Sequence, residues 1–343
     1  MCDNINISCY DNFTTLESST SMPNISESDN PLPATVYGIS SLTLMIVIFI
    51  TNAFMIFVIL RHKEFHNPTN YCLLSLCLGN MFGFVTLAML AFSVFVIHLQ
   101  HFLECVASIS LYYLQVLIGL LMLLLVAIEK YIMIMYPLRY NTIVTTKRML
   151  GAIVTCWVYT IIIALLPIFG LNTHVIYIFP YLNETEIEAA TWGTEQCNPD
   201  YELPSSYIGL FFLGNFYPIL LCLLCLYSRI LMIAHKQARQ IESLEQMGQE
   251  SKGVSFRKYF KSLRTVIAIL GYFIITWVPM SVLQLMEFEW LKIEFIPIGR
   301  QGRAPLLARI LISSMTSLNC VYNPVVCVLL NKDMRQAAKR MLR

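Results

Sequence analysis

The sequence predicts an all-α membrane protein, a seven-transmembrane helix bundle followed by a short amphipathic eighth helix. Three observations carry this. Of 343 residues, 57% are hydrophobic and only 13% charged, about half the roughly 25% charge typical of a soluble chain. Seven apolar runs of about 20 residues or more stand between polar segments. Lys and Arg gather in alternate connections, as expected of a chain that threads the bilayer repeatedly. This composition disfavours a soluble enzyme, a nucleic-acid binder and a disordered chain together.

In chain order, residues 1–33 form a polar tail with five acids and no Lys or Arg. The tail holds no apolar core of a cleavable leader, so the first span is expected to act as the insertion signal. The expected spans are 35–60, 70–97, 102–135, 149–171, 205–233, 260–286 and 304–330. The third is too long for an upright crossing and is expected to tilt or project past the bilayer. After the seventh span, residues 331–343 are expected to form the eighth helix. Leu330, Met334, Ala337, Ala338, Met341 and Leu342 make one apolar stripe, and Lys332, Arg335, Lys339, Arg340 and Arg343 the basic remainder. Such a helix suits the anionic inner leaflet. The expected organisation is an outer tail (1–33), a helical domain (34–330) and an inner segment (331–343).

Orientation follows from charge. With the N-terminus outside, 19 of the 23 basic residues and six of the 21 acids fall inside, a net of +13 against −11 outside. The opposite topology violates the positive-inside rule. Four glycosylation tripeptides, at Asn6, Asn12, Asn24 and Asn183, all fall on the outer side. So do four of the 11 cysteines, Cys2, Cys9, Cys105 and Cys197. An oxidising exterior permits pairing. A Cys105–Cys197 bond would pin the loop before the fifth span across the outer mouth, and Cys2 with Cys9 could close a small loop.

Polar and special residues recur inside the apolar runs at ordered positions. These are Asn52, Ser75 through Asn80, Cys105, Glu129-Lys130-Tyr131, Pro137-Leu138-Arg139-Tyr140, Trp157, Pro218, Thr276-Trp277-Val278-Pro279 and Asn323-Pro324. Together they resemble the rhodopsin-like (class A) G-protein-coupled receptors, over nearly the whole chain from about residue 34. Pro218, Pro279 and Pro324 each remove a backbone donor in mid-span and are expected to bend their helices. The resemblance implies that Trp277 and Phe273 relay ligand contact to the Pro279 bend. It also implies a switch set of Asn80, Glu129, Lys130, Tyr131, Phe273, Trp277, Pro279, Asn323 and Pro324, and G-protein contact through Lys130 and Leu138.

The chain departs from that family's pattern. Asn80 stands where an acid commonly holds sodium, and Gly119 where the third span often supplies Ser. Lys130 replaces an arginine and so lacks its bidentate fork. Residues 257–261 carry no acid to hold that cation. Cys327 and Leu226 stand where two tyrosines are usual, with Tyr227 next door. Normal signalling, constitutive signalling and a non-signalling role all remain open on these residues.

Candidate pocket residues are Tyr112, Gln115, Asn215, Trp277, Gln284, Glu287 and Arg309. Tyr112 occupies the place where amine receptors carry an Asp, and Ser317 the place of the retinal-bearing Lys, so neither an amine nor retinal is expected. Gln115 and Asn215 read equally well as glue between helices. The long third outer loop, with Glu287 through Glu294, Arg300 and Arg303, is expected to dock a peptide, cover the pocket or stay solvated. The reading is a receptor for an extracellular small molecule, lipid or peptide, acting through a heterotrimeric G protein at the plasma membrane. Arrestin, if recruited, meets the inner loops, because residues 331–343 contain no Ser or Thr. An odorant-type receptor is the chemosensory alternative, and a transporter is disfavoured for want of midplane charges. No enzyme motif, cofactor site or metal cluster is evident.

Overall fold

The computed structural model describes residues 32–92, 100–172, 192–194, 203–246, 253–287 and 306–341. The expected glycosylation sites, Cys2, Cys9, Cys197 and the third outer loop lie outside these residues. The helices are α1 (Leu32–Arg61), α2 (Pro68–Phe92), α3 (Phe102–Met135) and α4 (Thr146–Leu165). α5 follows as Ser205–Phe211, a π segment Phe212–Phe216 and Tyr217–Gln246. α6 (Gly253–Glu287), α7 (Leu306–Leu330) and α8 (Lys332–Met341) complete the order. Among the described residues, six helices are long and apolar enough to span a bilayer, and Met315–Leu330 adds a shorter apolar stretch in α7.

α3 is the axis of the bundle. Of its apolar window 67% is buried among the other helices, against 22% for α4. It packs against α2, α4 and α5, while α1 pairs with α2 and α7, and α6 with α7.

Boundaries differ from the hydropathy reading where polar helix continues beyond the membrane. α5 runs to Gln246 and α6 starts at Gly253, because i→i−4 backbone bonds need no apolar side chains. α4 ends early. Pro167 breaks its ladder, and Gly170 at φ 113° closes a Schellman turn, with Leu171 N–H on the Leu166 carbonyl at 3.0 Å. Among the described residues, one pairing is not helical. β1 (Gln100–His101) pairs antiparallel with β2 (Trp192–Thr194), giving the backbone of two outer connections hydrogen-bond partners.

The prolines are accommodated differently. Pro218 follows directly on the π segment, where Tyr217 N–H reaches the Phe212 carbonyl, so the ladder is shifted by one residue. Pro279 and Pro324 lie inside α6 and α7. On α8, Met334, Ala337 and Ala338 are buried and the basic residues exposed, as the amphipathic stripe requires. Asn331 Oδ1 caps its start by accepting Asp333 N–H at 3.1 Å.

Candidate functional site

The inner end of the bundle holds a compact polar cluster. Glu129 and Lys130, on the penultimate turn of α3, are 1% and 5% exposed. A buried carboxylate needs several donors, and it has them. Thr69 Oγ1 of α2 donates to Glu129 Oε2 at 2.7 Å, and Tyr140 OH to Oε1 at 2.8 Å. Lys130 Nζ lies 3.2 Å from Oε2 and donates to Thr69 Oγ1 at 2.8 Å. The cation is therefore satisfied from α2 and its own neighbour. Tyr131 is half-buried beside this cluster.

Tyr140 opens a four-residue helical turn, Tyr140–Ile143, whose last carbonyls are capped by Arg148. Two residues before it Leu138 is 97% exposed. An apolar side chain presented this fully, on a loop whose Tyr140 is tied to Glu129, can couple outside contact to the buried pair. Thr69 carries no motif signal, and Tyr140, although it ends the Pro137–Tyr140 motif, gives no sign in the sequence that it bonds Glu129. Asn67, which caps α2 at Asn70 N–H 3.0 Å away, with Pro68 after it, is the local signal that sets the N-terminus carrying Thr69.

In the outer half, an aromatic column descends between α3, α5 and α6. Tyr113 is ringed by Tyr112 (5.6 Å between centroids), Tyr207 (5.8 Å) and Phe211 (4.5 Å). Tyr112 contacts Trp277 at 5.5 Å, and Trp277 stacks on Phe273 at 6.0 Å. Phe273 in turn meets Phe216 of α5 at 6.2 Å. Trp277 is 1% exposed, two residues before Pro279. Its Nε1 is buried with no hydrogen-bond partner among the described residues. Gln284 donates from Nε2 to Tyr113 OH at 3.1 Å, while its Oε1 is buried and unpartnered among the described residues. Tyr217 OH and Ser281 Oγ, 2.9 Å apart, join α5 to α6 just beyond Pro279.

Two candidate pocket groups are engaged between helices. Asn215 accepts from Tyr159 OH of α4 and donates to the Leu210 carbonyl. Gln115 donates to Cys320 Sγ of α7 and lies against Gly83, where an added Cβ would meet Gln115 Oε1. The side chains of Glu287 and Arg309 are outside those described. Lower down, Asn52, Asn80 and Cys320 meet in one buried network, with Asn319 Oδ1 and Asn323 Oδ1 buried and unpartnered among the described residues. Trp157 donates to Ser75 Oγ at 2.8 Å and ties α4 to α2. Cys105 is buried and disulfide-bonded.

Among known proteins, the chain is similar to the adenosine receptor A2a of Canis lupus familiaris, 26% identical over 314 residues, 90% of this chain and 72% of that protein. It is 29% identical to the adenosine receptor A2a of Homo sapiens over 225 residues, covering 64% of this chain and 51% of that one. With the adenosine receptor A2b of Gallus gallus it shares 26% over 317 residues, 90% of this chain and 88% of the relative. Residues 51–326 match the family described as 7 transmembrane receptor (rhodopsin family). Six membrane-length helices, a seventh with Asn323-Pro324, and a match over most of the length make this chain a multi-pass membrane receptor of the rhodopsin-like, class A G-protein-coupled family, and not an enzyme.

Proposed function

We propose that the chain binds an extracellular ligand, neither a biogenic amine nor retinal, and in response activates a heterotrimeric G protein. The observation that carries this is the continuous ring contact from Tyr112 through Trp277 to Phe273, with Trp277 two residues before Pro279 inside α6. A ligand that displaces Tyr112 changes the packing of Trp277 and so acts on the one part of α6 that lacks a backbone bond. The floor of this pocket is uncharged: among the described residues the buried charges are Glu129 and Lys130, at the inner end. That suits a neutral, largely flat ligand which donates a hydrogen bond to Gln284 Oε1, and it argues against a transporter. The relatives' names make adenosine the first compound to try.

The N-terminus is outside in this reading and the receptor works at the plasma membrane. Residues 1–33 are the glycosylated outer tail, carrying Asn6, Asn12 and Asn24, and Asn183 bears a further glycan. Cys105 pairs with Cys197. Supporting this, Gln100 is in register with Thr194, three residues before Cys197. On the inner side, Lys130 and Leu138 meet the G protein, α8 with residues to 343 lies on the inner leaflet, and arrestin depends on inner-loop serines such as Ser243, Ser251 and Ser255.

The test is a ligand screen, led by nucleosides, in cells with a promiscuous G protein, run beside Leu138→Asp. A ligand-dependent signal is expected in the native chain and its loss in Leu138→Asp at equal surface expression. Equal signalling by the two would refute the proposed inner contact.

A further inference from the structure

A proline within a helix leaves the carbonyl four residues earlier without its amide donor. In α7 that carbonyl belongs to Cys320, since Pro324 lies inside the helix. Two carboxamides from other helices take it. Asn52 Nδ2 of α1 donates to the Cys320 carbonyl at 2.9 Å, and Asn80 Nδ2 of α2 at 3.3 Å. The network fixes which end of each amide is which. Asn52 Nδ2 also faces the Ile48 carbonyl at 2.9 Å. Between two carbonyl oxygens only an NH2 group fits, so Asn52 turns its oxygen to Asn80. Asn80 must then present its own NH2, which lies 2.9 Å from Asn52 Oδ1. Both hydrogens of one buried nitrogen serve acceptors on two helices.

This arrangement does not fit the sodium ion that the family resemblance would lead one to expect here. A cation needs oxygens aimed at a common point. Here a nitrogen donor, Asn80 Nδ2, occupies the place between Asn52 Oδ1 and the Cys320 carbonyl. Gly119 offers no side chain, and a Cβ there would meet only Leu76 Cδ1, at 3.6 Å. The unpartnered Asn319 and Asn323 oxygens are neutral, and buried amide oxygens of this kind suit water.

We propose that Asn80 is a cation-free clamp: its carboxamide ties α1 and α2 to the carbonyl that Pro324 leaves open, holding α7 whatever the sodium concentration. An ionised aspartate in its place has no hydrogen to give. It would set a carboxylate against two oxygens, and the contact would hold only with a cation between them.

The full chain, purified in detergent, is unfolded by heat in sodium chloride and in choline chloride at equal ionic strength. The native protein is expected to melt at the same temperature in both, within about 1 °C. Asn80→Ala should melt roughly 2–5 °C lower in both salts, having lost two hydrogen bonds. Asn80→Asp should be lowered in choline chloride and recover, saturably, as sodium replaces choline. A role in packing alone would not produce a cation-specific recovery. Saturable stabilisation of the native protein by sodium would overturn the proposal, and so would an Asn80→Ala variant as stable as the native chain. Unfolding requires neither ligand nor G protein, so these outcomes stand apart from the fate of the signalling reading.

Discussion

Two buried polar regions hold the same helices by opposite means. At mid-membrane, α1, α2, α3 and α7 converge on Cys320 through neutral amides from Asn52, Asn80 and Gln115. At the inner end, α2, α3 and the Pro137–Tyr140 loop converge on a full ion pair, Glu129 with Lys130. The difference follows depth. In the hydrocarbon centre a charge is costly, whereas an amide that meets two acceptors is satisfied without one. Near the end of α3, the charges persist because lost water is replaced by donors from Thr69, Tyr140 and Lys130.

Glu129→Ala should do the most damage. It leaves the Lys130 ammonium buried with only Thr69 Oγ1 to accept from it, at a cost of roughly 3–5 kcal/mol. Surface expression is expected to fall severely, and Glu129→Ala with Lys130→Met should recover part of it. Native expression of Glu129→Ala by flow cytometry would erase the distinction drawn between the two regions.

Gly83→Ala tests the neutral region. The new Cβ would sit 2.2 Å from Gln115 Oε1, so that carboxamide must leave Cys320 Sγ. Because the displaced atoms end a flexible side chain, the loss is moderate, about 1 kcal/mol. Adding Gln115→Ala removes the clash. A double variant no more stable than Gly83→Ala would show that crowding at Gln115 is not the cause.

The smallest effect on stability, and the sharpest on function, is expected from Tyr140→Phe. It deletes one donor to Glu129 and leaves the ion pair intact, a change of about 1 kcal/mol or less at this half-exposed position. Its expected signature is a several-fold rise in basal G-protein signalling with melting little changed. Unaltered basal signalling would mean that the Pro137–Tyr140 loop does not report on the buried pair.

Much of the architecture was readable before any coordinates. Each apolar run near 20 residues marks a span because the bilayer leaves few alternatives, and the Lys and Arg asymmetry implies which ends face inward. The eighth helix was equally legible, since its stripe of Met334, Ala337 and Ala338 is a matter of period alone. Polar helix beyond the membrane was not: the end of α5 at Gln246 carries no hydropathy signal.

The candidate site was legible in its members and not in its connections. Trp277, Glu129, Lys130 and Asn80 stood out as polar or aromatic groups at ordered places in apolar runs. That Thr69 would hold Lys130, or Tyr140 cap Glu129, depends on how α2 and a loop lie against α3, across separations of 61 and 11 residues. Asn80 illustrates the division. Sequence alone determined that residue 80 is uncharged, and that Pro324 strands the carbonyl of Cys320, because a proline's missing N–H acts at a fixed offset. Only the tertiary structure decided that Asn80 turns its nitrogen toward that carbonyl. The choice was forced by Asn52, whose own NH2 already lay between two oxygens contributed by different helices.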